Sequence, residues 1–172
     1  MQILKTHYHP EIKTLENKTV FTRLATRSIA IHGNEILLLY TKRYEDYSLP
    51  GGGLDLGEDK VEGMMRELSE ETGAKNIQNI KPFGAYEEYR PWYKPDYDIQ
   101  HMISYCYTCD INKELGASHL ESYEKKNGME AKWINLHEAI KHNENTIATS
   151  EKKGMSIERE TFLLKLIAEN LI

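Results

Sequence analysis

The chain has 172 residues, 40% of them hydrophobic and 28% charged. That is enough chain to bury a core, and the balance is that of a globular domain rather than a disordered or fibrous one. No apolar run has the length of a membrane span, and Met1–Thr6 lacks a signal-type apolar core, so a cytoplasmic protein without a membrane partner is expected.

In chain order, residues 1–20 are polar and mixed and read as a short strand or an arm, with the His7/His9 pair on an exposed polar stretch. Residues 21–32 and 35–42 read as two strands turning at Gly33-Asn34. Ser48–Leu54, rich in glycine, leads into a helix at about residues 58–72. Residues 80–89 and 99–111 are strand-like, separated by the loop 90–98 with Pro91 and Pro95. A polar loop then precedes a short strand at 130–134 and a short helix at 136–142. Residues 143–155 read as a mobile connection. Ser156 is placed to cap a last helix whose inner face is Leu163, Leu164, Ile167 and Leu171. The order is that of an α/β protein in which helices cover both sides of a mixed sheet.

The formal net charge of −5 has a location. Residues 52–74 carry Asp55, Glu58, Asp59, Glu62, Glu67, Glu70 and Glu71 against only Lys60 and Arg66, which alone makes −5. The rest of the chain is balanced. No lysine and arginine cluster marks a nucleic-acid surface, so no nucleic-acid partner is expected.

Glu67, Glu70 and Glu71 stand at i, i+3 and i+4 and so share one helix face. A helix shaped only for stability avoids three like charges one turn apart. A hard divalent cation bound by oxygen ligands accounts for them, with Mg²⁺ the first expectation and Mn²⁺ an alternative. Val61, Met64, Met65, Leu68 and Thr72 form the buried stripe of the same helix, about 120° around from the acids. Asp59 and Glu58 suit the start of the helix and Gly73 its end.

The stretch from Gly52 to Ala74 resembles the signature of the Nudix hydrolases: Gly52, Glu58, Arg66-Glu67-Leu68, Glu70-Glu71 and Gly73 occupy its fixed positions. Ala74 stands where the family has a larger aliphatic residue. A looser likeness runs from about residue 22 to 142, through Ser48–Gly52 and the Ala131–Ile134 strand. The resemblance implies a Nudix-type α/β/α sandwich, with residues 21–172 as one domain that includes the C-terminal helix. It implies metal-dependent hydrolysis of a phosphoanhydride in a nucleotide.

By the same resemblance the metal ligands are Glu70 and Glu71, with the Gly52 carbonyl as an extra one. Glu67 is a ligand or the general base. Arg66 positions neighbouring carboxylates, Glu70 and Glu62 being within helical reach. Glu58 suits an orienting role. A further ligand or base beyond the signature is sought at Glu121 or Glu124, or at Glu87 or Glu88 on a strand.

Seven of the 16 aromatic residues fall between positions 84 and 107. With Arg90 and Lys94 they make the loop 90–98 a candidate nucleotide-binding element, through Tyr89, Arg90, Trp92 and Tyr93. A pair of tyrosine-rich strands, or a homodimer contact, accounts for the same residues. The expected substrate is a nucleoside diphosphate linked to another group, of ADP-ribose or dinucleoside polyphosphate type. A nucleoside triphosphate pyrophosphatase acting on oxidised or non-standard nucleotides, or a nucleotide-sensing domain without turnover, are the alternatives. Cys106 and Cys109 lie three apart on a strand and face opposite sides, so they read as structural thiols rather than a zinc or redox pair.

Overall fold

The computed structural model describes residues 1–172. Its strands are β1 Ile3–Tyr8, β2 Val20–Ile29, β3 Ile31–His32, β4 Glu35–Thr41, β5 Asp46–Ser48, β6 Gln78–Pro91, β7 Ile99–Asp110 and β8 Met129–Asn135. Its helices are α1 Lys60–Thr72, α2 Ser122–Asn127, α3 Leu136–Thr149 and α4 Ile157–Leu171. One sheet runs β1-β6-β7-β2 and is mixed: β1 is parallel to β6, β6 antiparallel to β7, and β7 parallel to β2. In the other, β8 takes one edge of β4 along its whole length, and β3 and β5 share the opposite edge.

Two apolar clusters lie on opposite sides of these sheets. Ile36 and Leu38 of β4 pack with Tyr86, Cys106, Leu163, Leu164 and Ile167 under α3 and α4. Leu37 points the other way and packs with Met64 and Leu68 of α1, Tyr107 and Cys109. The period-2 alternation of strand side chains thus builds the α/β/α layering expected from the sequence. It also sends Cys106 and Cys109 into different clusters, as free buried thiols.

Several boundaries differ from the sequence reading. The strand expected at 21–32 breaks at Ala30, because β2 belongs to one sheet and β3 to the other. The helix expected to stop at residue 142 continues to Thr149, so most of the supposed mobile connection is ordered. Residues 122–127, read as loop, form α2. Ser156 precedes α4 but makes no capping bond, and Leu171 is 40% exposed rather than part of the inner face. His7 and His9 are half-buried, on or beside a paired strand, rather than on an exposed arm.

What positions the site is the segment between β5 and α1. It lies along β2: Ser28 N–H donates to the Pro50 carbonyl, Thr26 N–H to Gly52 and Leu54 N–H to Leu24. The fit excludes side chains. Gly51 has φ +148°, and a Cβ there would lie 1.9 Å from the Thr26 carbonyl oxygen.

Candidate active site

Helix α1 starts at Asp59, whose carboxylate accepts from the N–H groups of Val61 and Glu62, and ends at Gly73 in the left-handed conformation. Met64, Leu68 and Thr72 are buried, while Val61 and Met65 are half-buried. Anchored in this way, the helix turns Glu67 and Glu71 towards the glycine segment. The Glu71 carboxylate is 5% exposed and accepts from Gly51 N–H at 2.7 Å. Glu67 lies against Gly52, where a Cβ would come within 2.6 Å of its Oε1. Burial pushes both carboxyls above the ordinary range; Glu70 adds to the rise of Glu67, and Glu67 to that of Glu71. Glu124, buried on α2, adds to the repulsion on both.

Arg66 supports the cluster. Its Nε and Nη2 donate to both oxygens of Glu58 at 2.7 and 3.0 Å, and its Nη1 to Glu67 at 3.1 Å and Glu70 at 3.3 Å. The Arg66 fork and the Asp55 N–H hold the Glu58 carboxyl down at about 2. The i−4 partner expected for Arg66, Glu62, is not used; Glu58, eight residues back, takes that place because the turn before the helix folds over it.

The two candidates on α2 separate. Glu121 precedes the helix and is exposed, whereas Glu124 is 4% exposed and accepts from Glu121 N–H at 2.7 Å. Glu124 joins the cluster of Glu67 and Glu71, and Tyr123 beside it is raised to about 12 by burial and by these acids. Glu87 and Glu88 lie elsewhere. Glu87 bonds His101 and Thr6 on one face of the mixed sheet, and Glu88 pairs with Arg90 and Arg159 on the other.

The four residues expected to bind nucleotide do not converge. Arg90 is held by Glu88. Tyr89, its neighbour on the strand, stacks between Tyr8 and His101 on the opposite face. Trp92 packs edge-on to Phe21, its Nε1 donates to Asp96, and Tyr93 leans on it with 80% of its surface exposed. Phe21 in turn lines a groove of about 510 Å³ with Arg23 and the Leu54–Glu58 turn.

The donor set suits a hard cation. Carboxylates and backbone carbonyls crowd one place, and buried acids repel each other with only Arg66 and Arg27 near. The Gly52 carbonyl uses one lone pair on Thr26 N–H and keeps the other. No three acidic, imidazole or thiol groups stand around one point as they lie. Arg66 occupies oxygens of Glu67 and Glu70, so ligation requires these side chains to turn.

A mixed sheet between helices, with a glycine turn feeding an acid-bearing helix, defines the class: a Nudix fold. The comparisons agree. The family model described as the NUDIX domain matches residues 22–154, and the chain belongs to that family. Among solved structures it is similar to a MutT protein from Bacillus halodurans (17% identity, 83% of this chain and 80% of that one, TM-score 0.53). It is also similar to a NUDIX hydrolase from Nitrosomonas europaea (14% identity, 86% and 90%, TM-score 0.57). A curated relative, an RNA pyrophosphohydrolase from Ruthia magnifica subsp. Calyptogena magnifica, is 31% identical over 67 residues. That match spans 39% of this chain and 37% of the relative's length. No helix is long and apolar enough to cross a membrane.

Proposed function

We propose that the protein is a Mg²⁺-dependent hydrolase of a nucleoside diphosphate linked to a second group, cleaving the phosphoanhydride by attack of water. The observation that carries this reading is the pair of buried acids of α1, Glu67 and Glu71, set against the Gly51–Gly52 backbone, with Glu124 of α2 near enough to repel both. A bound divalent cation would neutralise the pyrophosphate charge and acidify a water. Glu71, Glu70 and the Gly52 carbonyl would hold it. Glu67 and Glu124 are the two acids placed to take a proton, and burial, which raises Glu67, suits a base better than an exposed carboxylate would. Arg66 keeps Glu67 and Glu70 oriented through its fork, with Glu58 as its anchor.

The Phe21–Trp92 pair beside the Leu54–Glu58 groove offers a nucleobase a ring surface near the start of α1. The relative's name supports a second reading, removal of pyrophosphate from the 5′ end of an RNA.

The test is product release with Mg²⁺ or Mn²⁺ from ADP-ribose, dinucleoside polyphosphates, nucleoside triphosphates and a 5′-triphosphorylated oligonucleotide. Glu71→Gln and Glu67→Gln should each lower kcat by about 10²–10⁴, and Glu124→Gln by about tenfold or more, all with the fold retained by circular dichroism. Full activity in Glu71→Gln would remove the metal assignment. Cleavage confined to the oligonucleotide would give the site to the second reading.

A further inference from the structure

Along the chain the basic residues are scattered. Among the 22 lysines and arginines only three adjacent pairs occur, Lys42-Arg43, Lys125-Lys126 and Lys152-Lys153. The fold gathers all three on one surface. Lys42 and Arg43 sit in the turn between β4 and β5, and that turn is bonded to the end of α2. Lys42 N–H donates to the Gly128 carbonyl at 3.1 Å, Arg43 N–H to the Asn127 carbonyl at 3.0 Å, and Arg43 Nη1 to the Asn127 side chain at 3.1 Å. Lys125 and Lys126 lie in the last turn of α2, just before these partners. The same turn meets the segment before α4. Gly154 lies against Tyr44, whose ring would be 3.3 Å from a Cβ placed there, and Lys152 Nζ is 3.7 Å from Glu45.

All six cations are exposed. Lys152 alone pairs with an acid, Glu45. Lys153 donates to the Ile147 carbonyl and Arg43 to a neutral amide, so neither charge is offset. Glu121, Glu130 and Glu151 flank the surface, which stays net basic on a chain whose formal charge is −5. Lysines at the end of a helix favour its dipole, and that accounts for Lys125 and Lys126. It does not account for two cations in the tight turn at 42–43, or for two more at 152–153. Stability alone would spread like charges apart.

Two tyrosines are interleaved with these charges. Tyr123 on α2 is 60% exposed, and the Arg43 guanidinium stands 5.5 Å from the centre of the half-buried Tyr44 ring. The surface also begins at the candidate active site, since Lys125 directly follows Glu124, the acid that repels Glu67 and Glu71. Cations spread over three segments, with rings between them, match a single-stranded nucleic acid: phosphates meet the charges and bases stack on the rings. An acidic peptide would meet the cations but carries no obligatory ring to stack. A membrane surface presents charge without any ring at all.

We propose that the three basic pairs form a binding surface for the phosphate backbone of a single-stranded RNA. The proposal rests on the second reading above, in which the anhydride cleaved is at the 5′ end of an RNA. The surface holds the strand by charge, without sequence preference, and takes no part in bond cleavage. Its binding must therefore weaken with salt. Each phosphate neutralised on a single strand contributes about −0.7 to the slope of log K against log salt. About five contacts give a slope near −3.5, a loss of about a hundredfold between 50 and 200 mM salt.

The probe is a single-stranded oligoribonucleotide of about twelve residues with a 5′-hydroxyl and a 3′-fluorophore, long enough to meet the about five contacts. Its binding to the full chain is read by fluorescence anisotropy with a chelator present, so that no turnover is involved. The double variants Lys42→Gln/Arg43→Gln, Lys125→Gln/Lys126→Gln and Lys152→Gln/Lys153→Gln should each weaken binding severalfold at 50 mM salt and make the slope shallower by about 1.4. The control Lys75→Gln/Lys81→Gln, exposed lysines on other segments, should leave both unchanged. No binding at 50 mM salt, a slope shallower than about −1, or basic-pair variants that bind as the control does overturns the proposal. Equal competition by polyglutamate gives the surface to an acidic peptide, and binding to phosphatidylserine vesicles without binding to RNA gives it to a membrane; either result overturns it. Binding that needs the three pairs, in a protein that cleaves no anhydride, would leave the surface standing and sink the hydrolase reading. Cleavage of a 5′-triphosphorylated oligonucleotide with KM unchanged in all three double variants would do the reverse.

Discussion

Asp46 shows how a single residue can cost stability. A carboxyl whose pKa is raised on folding holds its proton more firmly in the folded chain than in the unfolded one. Between its ordinary value of 3.8 and the folded value of about 6, the folded state binds more protons, so stability falls as pH rises through that window. The cost is absent below about pH 4 and complete above about pH 6–7, where it amounts to about 2–3 kcal/mol. Glu160 contributes to it, and Arg159 partly offsets it. Asp46→Asn should therefore be more stable than the wild type at pH 7.5 by up to that amount, and the difference should close near pH 4. Urea titrations at the two pH values check this; an equal difference at both would mean that Asp46 is not the group responsible. Glu67, Glu70 and Glu71 were legible because a helix converts local spacing into a shared face. Asp46 was not, since nothing adjacent to it in sequence marks it as buried.

At the scale of elements, the same distinction separates what the sequence reveals from what it hides. Helix α1 announces itself through Met64, Leu68 and Thr72, spaced for burial and flanked by a cap and a glycine stop. The second half of α3 buries Asn143 and Thr146, polar residues that interrupt the apolar period, so it reads as a connection. These are buried because β5 has a free edge there. The Asn143 amide takes the place of a neighbouring strand, pairing with Tyr47 as a backbone would. Helix α2 was hidden for a related reason: Glu124 resembles a surface acid until tertiary packing buries it. The split between β2 and β3 depends on which sheet each joins, and no local pattern records that. Asn143→Leu keeps the volume but strips two buried backbone groups of their partners. It should cost about 2–4 kcal/mol, measured by urea unfolding. A loss below about 1 kcal/mol would show that water or a shifted strand replaces the amide.

Across the whole molecule, α4 joins the mixed sheet to the glycine turn through charge. Arg159 donates to Glu88 on β6 at 2.8 Å, and through Nε and Nη2 to Glu160 at 3.1 and 2.8 Å. Glu160 accepts from Leu49 N–H at 2.9 Å, two residues before Gly51, and lies 3.7 Å from Arg27 on β2. Glu88, Arg159 and Glu160 are all at most 5% exposed. The fork of Arg159 suits it to serve two acids at once, which a lysine could not do with the same geometry. Such a network is poor evidence for net stability, because the charges lost their water to enter it. It is strongly directional, however, and it fixes the segment from which Gly51 reaches Glu71. Arg159→Met removes the shared cation while Glu88 and Glu160 stay buried. It should cost about 3–5 kcal/mol, measured by urea unfolding at pH 7.5. Replacing Glu88 and Arg159 together by leucine should cost less than the sum of the two single changes, because each single change strands the other member of the pair and the double change removes both, while the loss at Glu160 is common to Arg159→Leu and the double change. Additive losses would mean that the two residues act separately, and that α4 is held to the sheet by Leu163, Leu164 and Ile167 alone.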